Sequence, residues 1–204
     1  MPSDDSGIRR LVLASSSPRR RQLLTLLGIP FSTRPVAVDE SQLEGESPTE
    51  LVVRVSRAKA YALRDVGRDE LVVAADTVVV LDGQVLGKPR HPGEAFSMLS
   101  RLRGRSHSVY TGLSAWQPTR WRMENELASS IVTMRDYTDA EIEAYIATGD
   151  PLDKAGAYAI QHQGFAPVSH MEGCWLTVMG LPLCHLRRAL DAFGLVVPSS
   201  VPGS

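Results

Sequence analysis

Hydrophobic and polar positions change their period several times along this chain, and each change predicts an element. Leu11-Val-Leu-Ala14 is an unbroken apolar run that reads as a buried strand. Three serines follow, with Ser17 in the N-cap position and Pro18 at the first helical position, ahead of the apolar side supplied by Leu23 to Leu27. Pro30 to Val38 reads as a second extended segment, ending at Asp39-Glu40 and a polar turn over 41–47. Ser47-Pro48-Thr49-Glu50 is a capping box with proline at the first helical position. The 3.6-residue spacing of Leu51, Val52, Val55, Ala58, Tyr61 and Ala62 carries that helix to about Val66.

Leu71 to Leu81 is strongly β-branched, closed by the hairpin signal Asp82-Gly83 and a return strand, Gln84 to Leu86. Gly87-Lys88-Pro89 breaks the pattern, and Pro92 with Glu94 opens a helix to about Leu102. Ser106 to Ala115 and Arg122 to Met134 read as paired antiparallel strands joined around Gln117-Pro118. Thr138-Asp139-Ala140-Glu141 is a second capping box whose helix stops at Gly149. Residues 150–180 are glycine-rich and irregular with short strand-like pieces, and a last helix runs from Pro182 to Gly194. Hairpins among intermingled helices and strands predict an α/β fold with a mixed sheet rather than strict βαβ repetition. No internal repeat occurs, and no linker is long enough to separate independent domains.

Composition narrows the function classes. With 204 residues, 43% hydrophobic and 22% charged, and a formal net charge of -1, nothing global draws the chain to nucleic acid or membrane. Local basic patches must therefore carry any anion chemistry. No apolar run reaches membrane-span length, and the N-terminal residues lack a signal-peptide core. The two cysteines, Cys174 and Cys184, read as free thiols in a reducing compartment, so the expected location is the cytoplasm.

The chemistry begins at Ser15-Ser-Ser-Pro-Arg-Arg-Arg21. Arg19 to Arg21 fall in a first helical turn whose free amides and macrodipole already make it electropositive, a conflict that a bound phosphate resolves. Asp76 is the next anomaly, a carboxylate inside a strand whose same-parity neighbours Val72, Ala74, Val78 and Val80 are all apolar. With Asp39-Glu40 it could supply hard oxygen ligands for Mg²⁺ or Mn²⁺. Lys59 lies on the capped helix, Lys88 in the Gly-Lys-Pro break, and Lys154 in Asp150-Pro-Leu-Asp-Lys-Ala-Gly156. Together these are the parts of phosphoryl chemistry. Trp116-Gln-Pro-Thr-Arg-Trp-Arg122 is read as an exposed, variable loop rather than a nucleic-acid platform. Zinc-ligand spacing, the glycine-flanked serine elbow, the Walker lysine motif and the G-x-G-x-x-G loop are absent.

These blocks, Ala14-Ser-Ser-Ser-Pro-Arg-Arg20, Asp39-Glu40, Ala58-Lys59-Ala60, Ala75-Asp76-Thr77-Val78, Gly87-Lys88-Pro89, Asp153-Lys-Ala-Gly-Ala-Tyr158 with Ile160-Gln161, and Gly180-Leu-Pro-Leu183, resemble the Maf family in order and in kind. The resemblance spans about residues 8 to 190. It implies a two-lobed α/β fold, similar in shape to the inosine triphosphatases, with a long mixed sheet and a central cleft. Residues 8–195 would form one domain of two merged lobes, between an N-terminal tail (1–7) and a flexible C-terminal tail (196–204).

The resemblance also implies a metal-dependent pyrophosphatase that cuts a nucleoside triphosphate into the monophosphate and pyrophosphate. Ala75-Asp76-Thr77 and Asp153-Lys154 followed by Ile160-Gln161 are similar to the branch acting on dTTP and UTP. Carried over by position, Asp76 is the proton acceptor, and Lys59 and Lys88 complete the catalytic set. Ser15, Ser17, Arg19, Arg20, Thr77, Lys154 and Gln161 bind substrate, with Arg19, Thr77 and Gln161 setting base preference. Glu40 and Asp76 hold the Mg²⁺ or Mn²⁺. His162 stands where relatives carry glycine, and Gly173-Cys-Trp-Leu-Thr-Val178 departs from the usual tyrosines and asparagine. Two alternatives stay open: the same reaction on 7-methylguanosine triphosphate or another modified nucleotide, and a non-catalytic nucleotide- or nucleic-acid-binding regulator of septum formation. Neither a stable nucleic-acid complex nor a membrane partner is expected. A homodimer is compatible with the family, although the sequence carries no interface signal.

Overall fold

The computed structural model describes residues 7–197; apart from Gly7, Val196 and Val197, the two expected tails lie outside the described residues. Strand β1 (Arg10–Leu13) carries Leu11, Val12 and Leu13 with no exposed surface. Parallel neighbours cover both of its edges, β2 (Phe31–Thr33) on one and β3 (Glu70–Leu81) on the other. That burial is why β1 reads as an unbroken apolar run. β2 is shorter than the expected 30–38 segment. The Arg34 amide still bonds to Leu13 O at 3.0 Å, but Pro35 has no N–H to continue the ladder.

Helix α1 (Pro18–Thr25) starts where the serine and proline dictate, the Arg20 amide donating to Ser17 Oγ at 3.4 Å. In helix α2 (Pro48–Tyr61) the capping box is complete: the Glu50 amide donates to Ser47 Oγ at 3.3 Å and the Ser47 amide to Glu50 Oε2 at 2.8 Å. α2 ends before the expected Val66. The Leu63 amide turns to Ala60 O at 3.1 Å, and Leu63 drops into the core beside Val12, Ala14 and Ala60.

β3 and β4 (Gln84–Leu86) form the expected hairpin, with Asp82 (φ 52°) and Gly83 (φ 75°) both left-handed, as a tight right-twisted turn requires. Helix α3 (Pro92–Leu102), strand β5 (Ser106–Gln117) and strand β6 (Arg122–Met134) follow. Next come α4 (Asp139–Ala147), two short 3₁₀ turns at Asp150–Asp153 and Ala155–Ala157, β7 (Val168–Gly173), α5 (Trp175–Met179) and α6 (Leu183–Asp191). The seven strands form one sheet in the order β2-β1-β3-β5-β6-β7, with β4 also on β3. It is mixed, as expected, because β1 pairs parallel while β3–β4 and β6–β7 pair antiparallel.

The expected exposed loop from Trp116 to Arg122 holds for Thr119 to Arg122, which are exposed, and is corrected at Trp116 and Gln117. β5 runs on to Gln117, Trp116 is 2% exposed, and only the turn Pro118–Arg120 interrupts the strands. Trp116 packs edge-on against Tyr61 and Trp121, at 4.8 and 5.6 Å between ring centroids. Burying so large a ring outweighs the turn propensity around it.

The chain divides into two compact units, the first made of residues through Asp76, Thr111–Ala128 and the segment from Gly180, the second of Thr77–Tyr110 and Ser129–Met179. Val12, Ala14, Ala60, Val72, Ala74 and Trp116 form a cluster in the first. Val79, Leu99, Val109, Val132, Tyr137, Ile142 and Tyr158 belong to the core of the second. Val197, assigned from sequence to the flexible tail, is buried.

His107 lies inside the second core, its Nε2 2.7 Å from the Tyr158 hydroxyl. Burial lowers its pKa from the ordinary 6.5 to about 4. Between those values the unfolded chain binds the proton and the folded chain does not, so stability rises with pH across the window. It is fully present above about 6.5 and lost as pH falls through about 4. We expect urea midpoints to climb from pH 4 to 6.5, by a contribution on the order of 3 kcal/mol. His107→Gln should flatten that part of the profile, and an unchanged slope in the variant would assign it to other groups.

Candidate active site

Asp76 stands on β3 at 7% exposure, and burying its carboxylate requires a partner. The partner is Lys59, in the last turn of α2. The capping box fixes where α2 begins, and from there Val52, Val55, Ser56 and Lys59 fall on one buried stripe. Lys59 is itself 7% exposed, and its Nζ lies 2.7 Å from Asp76 Oδ1 and 2.7 Å from Glu40 Oε1. Glu40 reaches this point from the loop between β2 and α2, its side chain still 46% exposed. One ammonium thus holds two carboxylates that would otherwise repel, and a helix C-terminal turn favours that cation.

Arg20 completes the group. Its Nε donates to Gly180 O at 2.8 Å. Burial pushes the guanidinium below its ordinary value, the charges of Asp76 and Glu40 oppose that shift, and Arg19 adds repulsion. Arg20 therefore shares a field with both carboxylates. Ser15 and Ser17 shape the preceding turn, the Ser17 amide donating to Ser15 Oγ at 3.1 Å while Ser17 Oγ caps α1. Arg19 is half-buried and Arg21 is exposed. The structure thus brings together Arg20, Glu40, Lys59 and Asp76, with the serine turn beside Arg20.

The remaining sequence candidates belong to the second unit. Thr77 is half-buried on β3, and Lys88 and Gln161 are exposed. Lys88 sits on a turn held by the Gly156 amide, which donates to Gly87 O at 3.0 Å. Gly156 has φ 68°, and a Cβ there would stand 3.0 Å from the Val79 side chain, so glycine is required twice over. Lys154, expected to bind substrate, is engaged by carboxylates within its own unit. It is 7% exposed and donates to Asp150 O at 2.5 Å, Asp150 Oδ1 at 2.8 Å and Asp153 Oδ1 at 2.6 Å. Burial raises the Asp150 pKa, but hydrogen bonds from Lys154 and the Tyr145 hydroxyl prevail and hold it below the ordinary value. His162 turns inward, its Nδ1 accepting the Phe165 amide at 2.9 Å and its ring 4.6 Å from that of Tyr145.

Two participants escaped the sequence reading. The Gly180 carbonyl carries no side-chain signal. Arg54 pairs with Glu46 across the start of α2, at a separation that no helical spacing rule covers.

No group of three or more His, Cys, Asp or Glu side chains gathers around one point among the described residues. The donor set at Glu40 and Asp76 is two carboxylates. That fits Mg²⁺ or Mn²⁺, which take one or two protein carboxylates and complete their shell with water and substrate phosphates.

A mixed α/β fold with two carboxylates on a buried lysine, in the field of a half-buried arginine, suits a protein that handles an anionic substrate. The chain belongs to the Maf family: the family model for Maf-like protein matches residues 10–193. It is 47% identical over 188 residues to a dTTP/UTP pyrophosphatase of Moorella thermoacetica, covering 92% of this chain and 97% of that one. To the dTTP/UTP pyrophosphatase of Pelotomaculum thermopropionicum it is 43% identical over 187 residues, 92% of this chain and 98% of the relative. A third protein of that name, from an Anaeromyxobacter species, is 47% identical over 197 residues, 95% of this chain and 94% of its own length. No described helix is long and apolar enough to cross a membrane.

Proposed function

We propose that this chain is a nucleoside triphosphate pyrophosphatase that hydrolyses dTTP and UTP to the monophosphate and pyrophosphate, acting on the cytoplasmic nucleotide pool. The observation that carries the reading is the Lys59 clamp. Lys59 engages Asp76 through Oδ1 at 2.7 Å, which fixes one oxygen of a buried carboxylate and so orients the group. A water donating to Oδ2 would be oriented and deprotonated there as its oxygen attacks the α-phosphorus. The bond from that phosphorus to the oxygen bridging to the β-phosphorus breaks, and pyrophosphate leaves with the electron pair. Arg20 and Lys59 supply positive charge fixed in place before the reaction, which stabilises the charge spreading over the phosphate oxygens.

Glu40 and Asp76 would hold a divalent cation, Mg²⁺ or Mn²⁺, which supplies further neutralisation of the phosphate charge. The amides of the Ser15–Ser17 turn and the N-terminus of α1 suit a phosphate, and Lys88 is assigned to the catalytic set by its place in Gly87-Lys88-Pro89. Arg19, Thr77 and Gln161 are assigned to base preference. Lys154, held by Asp150 and Asp153, braces the turn leading to Gln161 and stays assigned to substrate binding.

The test is pyrophosphate release from a panel of common and modified nucleoside triphosphates with Mg²⁺ or Mn²⁺. dTTP and UTP are expected to lead the panel, with no activity in excess chelator and recovery on adding back either cation. Release of single phosphate would contradict attack at the α-phosphorus, and absence of turnover on any nucleotide would reinstate a non-catalytic binder.

A further inference from the structure

Glu40 sits on a stretch with no regular structure between β2 and α2. Its carboxylate nevertheless has to meet Lys59 and, in the function proposed above, a cation. From the helix side, the tie to this stretch is Arg54. Its Nη2 donates to Ser41 O, the carbonyl next along from Glu40, at 2.8 Å. The same guanidinium takes Glu46 in a two-point pair, Nε to Oε1 at 2.5 Å and Nη2 to Oε2 at 2.9 Å.

Glu46 in turn accepts the Leu43 amide at 3.0 Å through Oε2, and its own carbonyl accepts Gln42 Nε2 at 2.6 Å. Asp39 Oδ1 closes the near end by accepting the Ser41 amide at 2.9 Å. The hydrogen bonds donated to Glu46 hold its carboxyl below the ordinary range, with that from Arg54 the largest cause, and Glu46 raises the Arg54 guanidinium in return.

We infer that Arg54 is a positioning residue for the catalytic reaction, fixing the Glu40 loop against the helix that carries Lys59. Arg54 and Lys59 lie five residues apart on α2, about 7.5 Å along a rigid axis. One helix therefore grips the loop backbone beside Glu40 with one side chain and the Glu40 carboxylate with another. A lysine at 54 has the charge but not the planar fork that meets Ser41 O and both Glu46 oxygens together. The inference rests on the reading of Glu40 as a cation ligand, since positioning that carboxylate matters most for what binds it.

Mn²⁺ binding, followed by the electron paramagnetic resonance signal of free Mn²⁺, and the Mg²⁺ dependence of pyrophosphate release test it in parallel. The proteins compared are wild type, Arg54→Met, Arg54→Lys, Glu46→Gln and Glu40→Gln, each with its thermal midpoint. Outer partners of metal ligands typically control affinity about 10- to 100-fold. Arg54→Met is expected to weaken Mn²⁺ binding about 10-fold, to raise the Mg²⁺ requirement equally, and to leave kcat at saturating metal within about 2-fold. Arg54→Lys should restore little, and Glu46→Gln should shift the same way without removing Arg54. A lowered midpoint with unchanged Mn²⁺ affinity in Arg54→Met and Glu46→Gln would overturn the inference, reducing Arg54 to a structural pair. If Glu40→Gln itself binds Mn²⁺ like wild type, the assignment of Glu40 fails first, and the inference fails with it. If Arg54→Met does not fold, Glu46→Gln decides.

Discussion

Asp76→Asn is expected to lower kcat for pyrophosphate release by about 10³-fold while the protein stays folded, in line with loss of a positioned general base. Asparagine keeps the shape and can still accept Lys59 Nζ through its carbonyl oxygen, which in Asp76 is 2.7 Å away. Its second terminal atom is an amide nitrogen, which donates and cannot accept a proton from water. The measurement is single-turnover pyrophosphate release at saturating nucleotide and metal, with nucleotide affinity measured separately. A variant within 10-fold of wild type would show that Asp76 does not take the proton. A variant whose loss disappears at high metal concentration would place Asp76 among the cation ligands alone. Lys59 needs a different interpretation, because removing it takes the shared ammonium from both Asp76 and Glu40, so its loss mixes catalysis with stability.

Gly112→Ala is the largest stability effect expected outside the site. Gly112 lies in β5 where the strand passes under α2, and a Cβ there would stand 2.3 Å from Val52 O and 2.8 Å from the Val53 amide nitrogen. These are backbone atoms of a helix, so no side chain can rotate away. α2 must lift off the sheet, which takes with it the buried hydrogen bond between Ser56 and Ser114 hydroxyls at 2.9 Å. Overpacking typically costs 1–3 kcal/mol, and contact with rigid backbone puts this case at about 3 kcal/mol or more. Urea unfolding checks it, with Gly87→Ala as a control, since a Cβ at Gly87 meets nothing within 4 Å. Near-equal midpoints for the two variants would mean that α2 yields more easily than its packing implies. Because α2 also carries Lys59 and Arg54, surviving folded Gly112→Ala should need more divalent metal.

Local physics made much of this protein legible in its sequence. Ser17-Pro18, Ser47 with Glu50, and Thr138 with Glu141 each start a helix where capping chemistry requires one. Asp82-Gly83 sets the β3–β4 hairpin, because both residues must be left-handed. Asp76 stood out as a carboxylate among apolar neighbours, and the structure buries it as that pattern demands. Where the reading differed, contacts distant in sequence decided. Trp116 is held inside by Tyr61, fifty-five residues away, and Pro35 ends β2 only because the ladder partner is β1.

The sequence by itself determined the helix starts, the mixed α/β class, the family, and the residue types that phosphate chemistry needs. Only the tertiary structure decided which of those residues meet. Lys59 meets Asp76 and Glu40 because the buried stripe of α2 carries it inward onto the Asp76 carboxylate of β3. Lys154, equal to Lys59 in the sequence, is instead taken up by Asp150 and Asp153. Arg20 is separated from Arg19 and Arg21 by a carbonyl 160 residues further on. The reason is range: capping and turn chemistry act over three or four residues and leave a local mark. The partner of a buried charge is chosen by packing between distant segments, which no spacing along the chain records.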